Sequence, residues 1–247
     1  MKILFLDIET SPNIVYVWGL FNQNIALNQI VAPGETICWA ARWGHERKIQ
    51  FRSVHHHSAS EMVQKIWELL DEADVVVHFN GTRFDIPTLN KEFILRGMQP
   101  PTTYKEIDLY RVVRSRFRFA SNKLDFVAQE LGLGAKTQHK GMDLWKGCME
   151  GVEADWVVMK RYNIQDVRLL PKLYQHLLGW IKGHPNMALY IEDDSKPVCR
   201  NCGSEHITKR GVERTTVQIY QRYKCVDCGW NGRGRYRLHK PGDGVLV

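Results

Sequence analysis

Apolar positions run unbroken from Ile3 to Leu6 and then give way to Asp7, Ile8, Glu9 and Thr10. Side chains alternate faces along a strand, and here both faces are apolar. That predicts a buried central strand with Asp7 and Glu9 side by side near its carboxyl end. Residues 14–21 and 36–43 are rich in β-branched and aromatic side chains, are separated by Pro33-Gly34, and read as two further strands. Residues 48–54 read as another. The period then changes: Met62, Val63, Ile66, Leu69 and Leu70 recur at helical spacing over residues 60–71, with Ser58 or Ser60 as the cap.

Residues 73–79 form a short apolar strand, 86–96 a helix, 123–131 a helix closed by Gly132, and 134–141 a polar loop. A long helix starts near Ala154. Its buried stripe is Trp156, Met159, Val167, Leu170, Leu173, Tyr174, Leu177 and Ile181, and Pro171 is expected to kink or restart it. Residues 179–194, with Gly183, Pro185 and the acidic Glu192-Asp193-Asp194, read as a linker. The boundary falls near residue 190 and divides the chain into residues 1–190 and 195–247. Strands alternating with helices make the larger part an α/β domain.

Composition narrows the class. With 44% hydrophobic and 25% charged residues among 247, the chain is that of an ordinary globular protein. No apolar run approaches the roughly 18 residues a membrane span needs, and Asp7 interrupts the opening run before a signal sequence can form. The expected location is the cytoplasm, of a prokaryote or a virus-infected cell. The net charge of +7 is uneven: residues 195–247 hold 11 Lys and Arg against 4 acids, while the other 194 residues carry 23 of each sign. A basic tail on a near-neutral body fits a nucleic-acid-binding appendage.

Four of the six cysteines form Cys199-x-x-Cys202 and Cys225-x-x-Cys228, followed by Gly203 and Gly229. Two such knuckles suit one tetrahedral Zn²⁺, and a glycine after each permits the positive-φ turn that aims amides at sulfur. In the same segment Tyr220, Tyr223, Trp230 and Tyr236 alternate with Arg222, Arg233, Arg235 and Arg237, a pattern for holding phosphates and stacking bases.

Elsewhere the chemistry lies in carboxylates. Asp7 and Glu9 repel one another and are tolerated cheaply only beside a divalent cation. Asp85 stands past the end of the second apolar strand, where it is either a further ligand or the cap of a helix with Pro87 in its first turn. Tyr162 and Asp166 are four apart and share a helix face. Arg111, Arg114, Arg116 and Arg118 interleave with Phe117 and Phe119, which fits either nucleic-acid contact or an amphipathic helix with a solvated basic face. The His55-His56-His57 run reads as a solvated turn, because three adjacent residues cannot converge on one ion from a strand or helix.

Taken in order, Asp7-x-Glu9, Asn80 to Phe84-Asp85, and Tyr162-x-x-x-Asp166 resemble the three exonuclease motifs of the DEDD superfamily. Arg161 stands where the histidine subclass has its histidine, so the tyrosine subclass fits better. Residues 124–132 are also similar to the segment before the third motif in proofreading domains of family B DNA polymerases. The resemblance implies a ribonuclease H-like mixed sheet flanked by helices, joined here to a small β-rich zinc ribbon. It implies 3′-to-5′ removal of nucleotides with two Mg²⁺ or Mn²⁺ held by Asp7, Glu9, Asp85 and Asp166, directly or through water, and Tyr162 orienting the attacking water.

Thr10, Asn80, Arg116, Phe117, Arg118, Arg222, Arg233 and Arg235 are the expected nucleic-acid contacts. The expected substrate is nucleic acid, DNA before RNA, with no membrane. No polymerase region follows, so the nuclease is expected to stand alone or to join replication or repair proteins, docking through the ribbon. An RNA-directed or structure-specific nuclease, and a non-catalytic nucleic-acid-binding protein, are the alternatives the same residues leave open.

Overall fold

The structure, a computed structural model, describes residues 1–191 and 196–238. The acidic Glu192-Asp193-Asp194 stretch, Lys240 and Asp243 lie outside the described residues. The chain forms two compact units, Lys2–Leu173 and Tyr174–Val247, the latter grouped with Met1.

The larger unit is built on β1 (Ile3–Thr10), the strand predicted from the opening apolar run. After the short β2 (Ile14–Val15) and β3 (Ile30–Ala32) come β4 (Thr36–Trp43) and β5 (Gln50–Ser53). Next are the helix α1 (Ala59–Glu72), β6 (Val75–His78), α2 (Asp85–Leu95) and β7 (Lys105–Asp108). Five strands pair in the order β5-β4-β1-β6-β7, with β1 antiparallel to β4 and parallel to β6. The central place of β1 explains why both its faces are apolar.

The two faces of the sheet meet different layers. Leu4, Leu6 and Ile8 pack with Trp39, with Met62, Ile66 and Leu70 of α1, and with Leu89 and Phe93 of α2. Trp39 is fully buried, and its indole N–H donates to the Met62 carbonyl at 2.9 Å, so the apolar gain is not offset by an unpaired donor. On the opposite face Ile37 and Cys38 pack against α5 (Met142–Met149) and α6 (Glu153–Leu177) through Leu144, Cys148, Trp156 and Met159. Helix α1 starts where expected: Ser58 Oγ accepts from the Glu61 amide and the Glu61 carboxylate accepts from the Ser58 amide, a reciprocal cap.

Several local expectations change in the fold. The strand expected over 14–21 stops at Val15, because its one partner among the described residues, β3, is three residues long. Tyr16, Trp18, Leu20 and Phe21 are consequently exposed. The basic segment splits: α3 (Leu109–Arg116) ends before Phe117, Arg118 and Phe119. Helix α4 (Leu124–Glu130) follows as predicted. Helix α6 continues through Pro171 as one element, since buried Val167, Leu170, Leu173 and Tyr174 lie on both sides of the proline and hold the helix across one missing backbone bond. Neither β7 nor α5 was foreseen.

In the smaller unit β8 (Ile207–Arg214), β9 (Ile219–Cys225) and β10 (Asn231–Arg237) form an antiparallel sheet in the order β10-β9-β8. Residues 174–191 are part of this unit. Asn201 Nδ2 donates to the carbonyls of Leu178 and Ile181 at 2.7 and 3.0 Å, and Arg200 donates to the His184 carbonyl at 2.8 Å. The Tyr174 hydroxyl and His184 Nε2 pair at 2.5 Å.

Candidate active site

Three carboxylates come together where β1 passes α6. Each of Asp7, Glu9 and Asp166 offers an oxygen, and these oxygens lie within 4.8 Å of one another. The pairing of β1 with β4, Asp7 opposite Ala40 and Glu9 opposite Cys38, keeps both acids on the face toward α6. Asp85 is the first residue of α2 and Phe84 takes the cap position, so Asp85 is not the helix cap; its side chain instead accepts from the Ile8 amide at 3.0 Å. That bond fastens the start of α2 to β1 between the two acids.

The electrostatics are those of crowded anions. Burial, then repulsion from Asp166, Asp85 and Glu9, holds the Asp7 carboxyl well above its usual range. Burial and Asp166 push Glu9 up to about 8, and burial pushes Asp85 up to about 6. Burial also raises Asp166, against the opposing pull of Lys136.

Lys136 was not foreseen. Its ammonium donates to Asp166 and, at 3.2 Å, to the Tyr162 hydroxyl. The backbone amide of Lys136 donates to Asp125 at 2.6 Å, and Gln165 of α6 donates to the Ala135 carbonyl at 3.0 Å, so the loop is tied down on both sides. Asn163 was missed too: its amide donates to the Asp7 carboxylate at 2.7 Å and to the Asp7 carbonyl at 3.2 Å. Asn163 lies directly after Tyr162, which was the only sequence cue. For Lys136 there was none, since a lysine in a polar loop reads as solvated. Burial, with Glu9 and Asp166 adding to it, pushes the Tyr162 hydroxyl up to about 12. Its ring meets those of His139 and Trp145 edge-on at 4.8 and 6.0 Å.

Of these groups Asp7, Lys136 and Tyr162 border an open cavity of about 860 Å³, whose walls also include Asn80 and Tyr110. Asn80 stands two residues past the end of β6 with φ +70°, and its amide donates to Asp108 at 2.8 Å. Thr10 lines a second cavity of about 430 Å³ with Phe84 and Lys91. Arg116, Phe117 and Arg118 border neither of these two cavities.

The residues present fit divalent cations. Asp166 Oδ1 is buried without a hydrogen-bond partner, and an all-oxygen donor set whose members repel one another is what a hard cation neutralises. The fit also holds for zinc at the cysteines. Sγ atoms lie 3.5 Å apart for Cys199 and Cys228 and 3.6 Å for Cys202 and Cys225, close to the roughly 3.8 Å edge of a tetrahedron with Zn–S bonds of about 2.3 Å. Gly203 and Gly229 have φ of +76° and +74°, as the knuckle reading requires. In the same unit Arg222, Arg233 and Arg235 are exposed. Arg233 stacks 4.0 Å over the Tyr220 ring and pairs with Glu213 at 3.3 Å.

Residues 36–178, more than half of the chain, match the RNase H superfamily, and the chain belongs to it. Asp85, Tyr162 and Asp166 lie inside the matched stretch, and β1 precedes it. Among solved structures the chain is similar to the family B DNA polymerase from the hyperthermophilic archaeon Pyrobaculum calidifontis. The TM-score is 0.56 at 17% sequence identity, over 72% of this chain and 24% of that one. The likeness is one of fold, and this chain spans about a quarter of the polymerase. No curated protein sequence matches it significantly. The fold is therefore RNase H-like, a mixed sheet flanked by helices, with a β-rich four-cysteine module after it. Among the described residues no helix is long and apolar enough to cross a membrane.

Proposed function

We propose that this protein is a 3′-5′ exonuclease of the DEDD superfamily, tyrosine subclass, which hydrolyses nucleotides from the 3′ end of DNA, preferably single-stranded. The observation that carries the reading is the convergence of Asp7 and Glu9 of β1 with Asp166 of α6, with Tyr162 one helical turn before Asp166. Two Mg²⁺ or Mn²⁺ would be held by Asp7, Glu9, Asp85 and Asp166, and such ions activate water and stabilise the leaving oxygen of an in-line displacement. Tyr162 stays protonated at neutral pH and so orients a water rather than deprotonating it. Lys136 adds a fixed positive charge at the rim, where it can bear on the attacked phosphate. Asn163 holds the Asp7 carboxylate in place.

In this reading the body, residues 1–190, does the chemistry, and the ribbon, residues 195–247, carries one structural Zn²⁺. Thr10 and Asn80 contact the strand near the acids, while Arg116, Phe117, Arg118, Arg222, Arg233 and Arg235 hold it farther along. The ribbon also offers a docking surface to replication or repair proteins, and the place of action is the cytoplasm.

The test is hydrolysis of 5′-labelled DNA and RNA strands with Mg²⁺ or Mn²⁺. A ladder shortening from the 3′ end, slowed by a 3′-phosphate, is expected on DNA. Cleavage of a closed circular strand would point to an endonuclease instead. Asp85→Ala and Asp166→Ala should each lower turnover by about 10²–10³-fold or more, and Tyr162→Phe by about tenfold. An alanine variant at near wild-type rate would overturn the assignment.

A further inference from the structure

Outside the carboxylate site, a second group of metal-ligating side chains converges on the larger unit. The turn after β5 carries His55 and His56 to Glu153, in the first turn of α6. His55 Nε2 lies 2.7 Å from one Glu153 oxygen and His56 Nε2 lies 3.9 Å from the other. One donor atom from each residue falls within 4.8 Å of the rest. Ligands about 2.0 Å from a tetrahedral ion stand about 3.3 Å apart, so these spacings bracket what an ion needs. The expectation of a turn at these histidines holds. The three histidines do not converge together, since His57 stands apart, but His55 and His56 meet Glu153, a partner supplied by α6.

Both imidazoles are held in place. The His55 ring stacks on that of buried Trp156 at 5.2 Å, with 13° between the planes. His56 Nδ1 pairs with Ser53 Oγ at 3.1 Å, which leaves Nε2 to face Glu153, as outer partners do for metal-binding imidazoles. His57 is engaged differently, with Nδ1 3.3 Å from the Ser53 carbonyl, and stands outside the group.

We propose that His55, His56 and Glu153 form a binding site for one zinc-class divalent cation, which clips the turn after β5 to the start of α6. Two imidazoles and one carboxylate suit Zn²⁺, Co²⁺ or Ni²⁺ and are poor ligands for Mg²⁺. Three protein ligands leave a fourth position to water. The clip would set the start of the helix that also carries Tyr162 and Asp166, and it does not depend on the nuclease reading.

The test uses the full-length chain with its cysteine site loaded with zinc, in excess Mg²⁺ so that the carboxylate site is filled. Equilibrium dialysis against micromolar Zn²⁺ with metal analysis should find one zinc per chain beyond the cysteine-bound ion. His55→Gln, His56→Gln and Glu153→Gln should each weaken that ion at least tenfold, and Ser53→Ala by about tenfold. His57→Gln should leave it unchanged. The Glu153 side chain is 67% exposed, so Glu153→Gln leaves the fold intact. Imidazole NMR should show Zn²⁺ shifting the Nε2 signals of His55 and His56 alone. No additional zinc, equal weakening by His57→Gln, or no effect of Glu153→Gln would each overturn the proposal.

Discussion

Glu9 and Asp85 carry their protons to unusually high pH, about 8 and about 6 against ordinary values of 4.5 and 3.8. Both bind protons more tightly folded than unfolded. In magnesium-free buffer their contribution is therefore least harmful at acid pH, and stability falls as pH rises from about 4 through about 8. Each ionising group adds at most about 1.4 kcal/mol per pH unit over its own window. Saturating Mg²⁺ favours the ionised forms and should flatten the slope. Thermal melts at pH 5, 6, 7 and 8 with and without Mg²⁺ check this, and a pH-independent melt without Mg²⁺ would contradict the crowded-anion account. Glu9→Gln should reduce the part of the slope above pH 6, to which Asp7 also contributes. Asn163 acts beside these groups, and Asn163→Ala should lower kcat about tenfold with little change in KM for short strands, because it frees the Asp7 carboxylate without touching substrate. An unchanged kcat would mean that Asp7 needs no such tether.

At the scale of elements, the site depends on β1 and α6, which are distant in sequence and joined by Asn163, while Cys38 of the neighbouring β4 packs with Trp156 and Met159 of α6. The ribbon has close approaches of its own, and at one of them a Cβ on Gly232 of β10 would stand 1.9 Å from the Trp230 ring. No rotamer of an added side chain relieves that contact, so Trp230 must leave its seat beside the second knuckle. Gly232→Ala should speed zinc release to a colorimetric chelator severalfold and leave hydrolysis of short oligonucleotides unaltered. Release at the wild-type rate would show that Trp230 does not cover the metal site.

For the molecule as a whole, the excess positive charge in the C-terminal part predicts a salt-dependent grip on nucleic acid. Arg222, Arg235 and Arg237 are exposed on β9 and β10, whereas Arg233 is partly spent on Glu213 and Tyr220. Replacing the first three with Gln in the full chain should reduce the log-log salt slope for single strands by about 2. Turnover of short oligonucleotides should stay the same while KM on long strands rises. Substitution is the better experiment than cutting at Ser195, since a cut removes Arg200 and Asn201, which bond residues 178–184. An unaltered slope would assign the ribbon to protein docking.

What the sequence by itself determined were features written in short-range pattern: the two-faced apolar strand ending in Asp7 and Glu9, the helical period of α1, the Tyr162–Asp166 spacing and the paired cysteine knuckles with their glycines. Each is a matter of which neighbours along the chain share a face, and strand and helix periods dictate that locally. Tertiary structure decided the rest. Strand β7 is a half-buried edge of sequence Lys-Glu-Ile-Asp, and α5 is eight residues long with Gly147 inside it, so neither carries a strong period. Residues 17–21 look like a strand, but among the described residues no strand pairs with them, and strand formation requires a partner. Lys136, Asn163 and the meeting of His55 and His56 with Glu153 arise from contacts between residues 30 to 156 positions apart. A polar side chain shows nothing of such contacts in its own neighbourhood, because what gives it a role is the charge that folding brings to it.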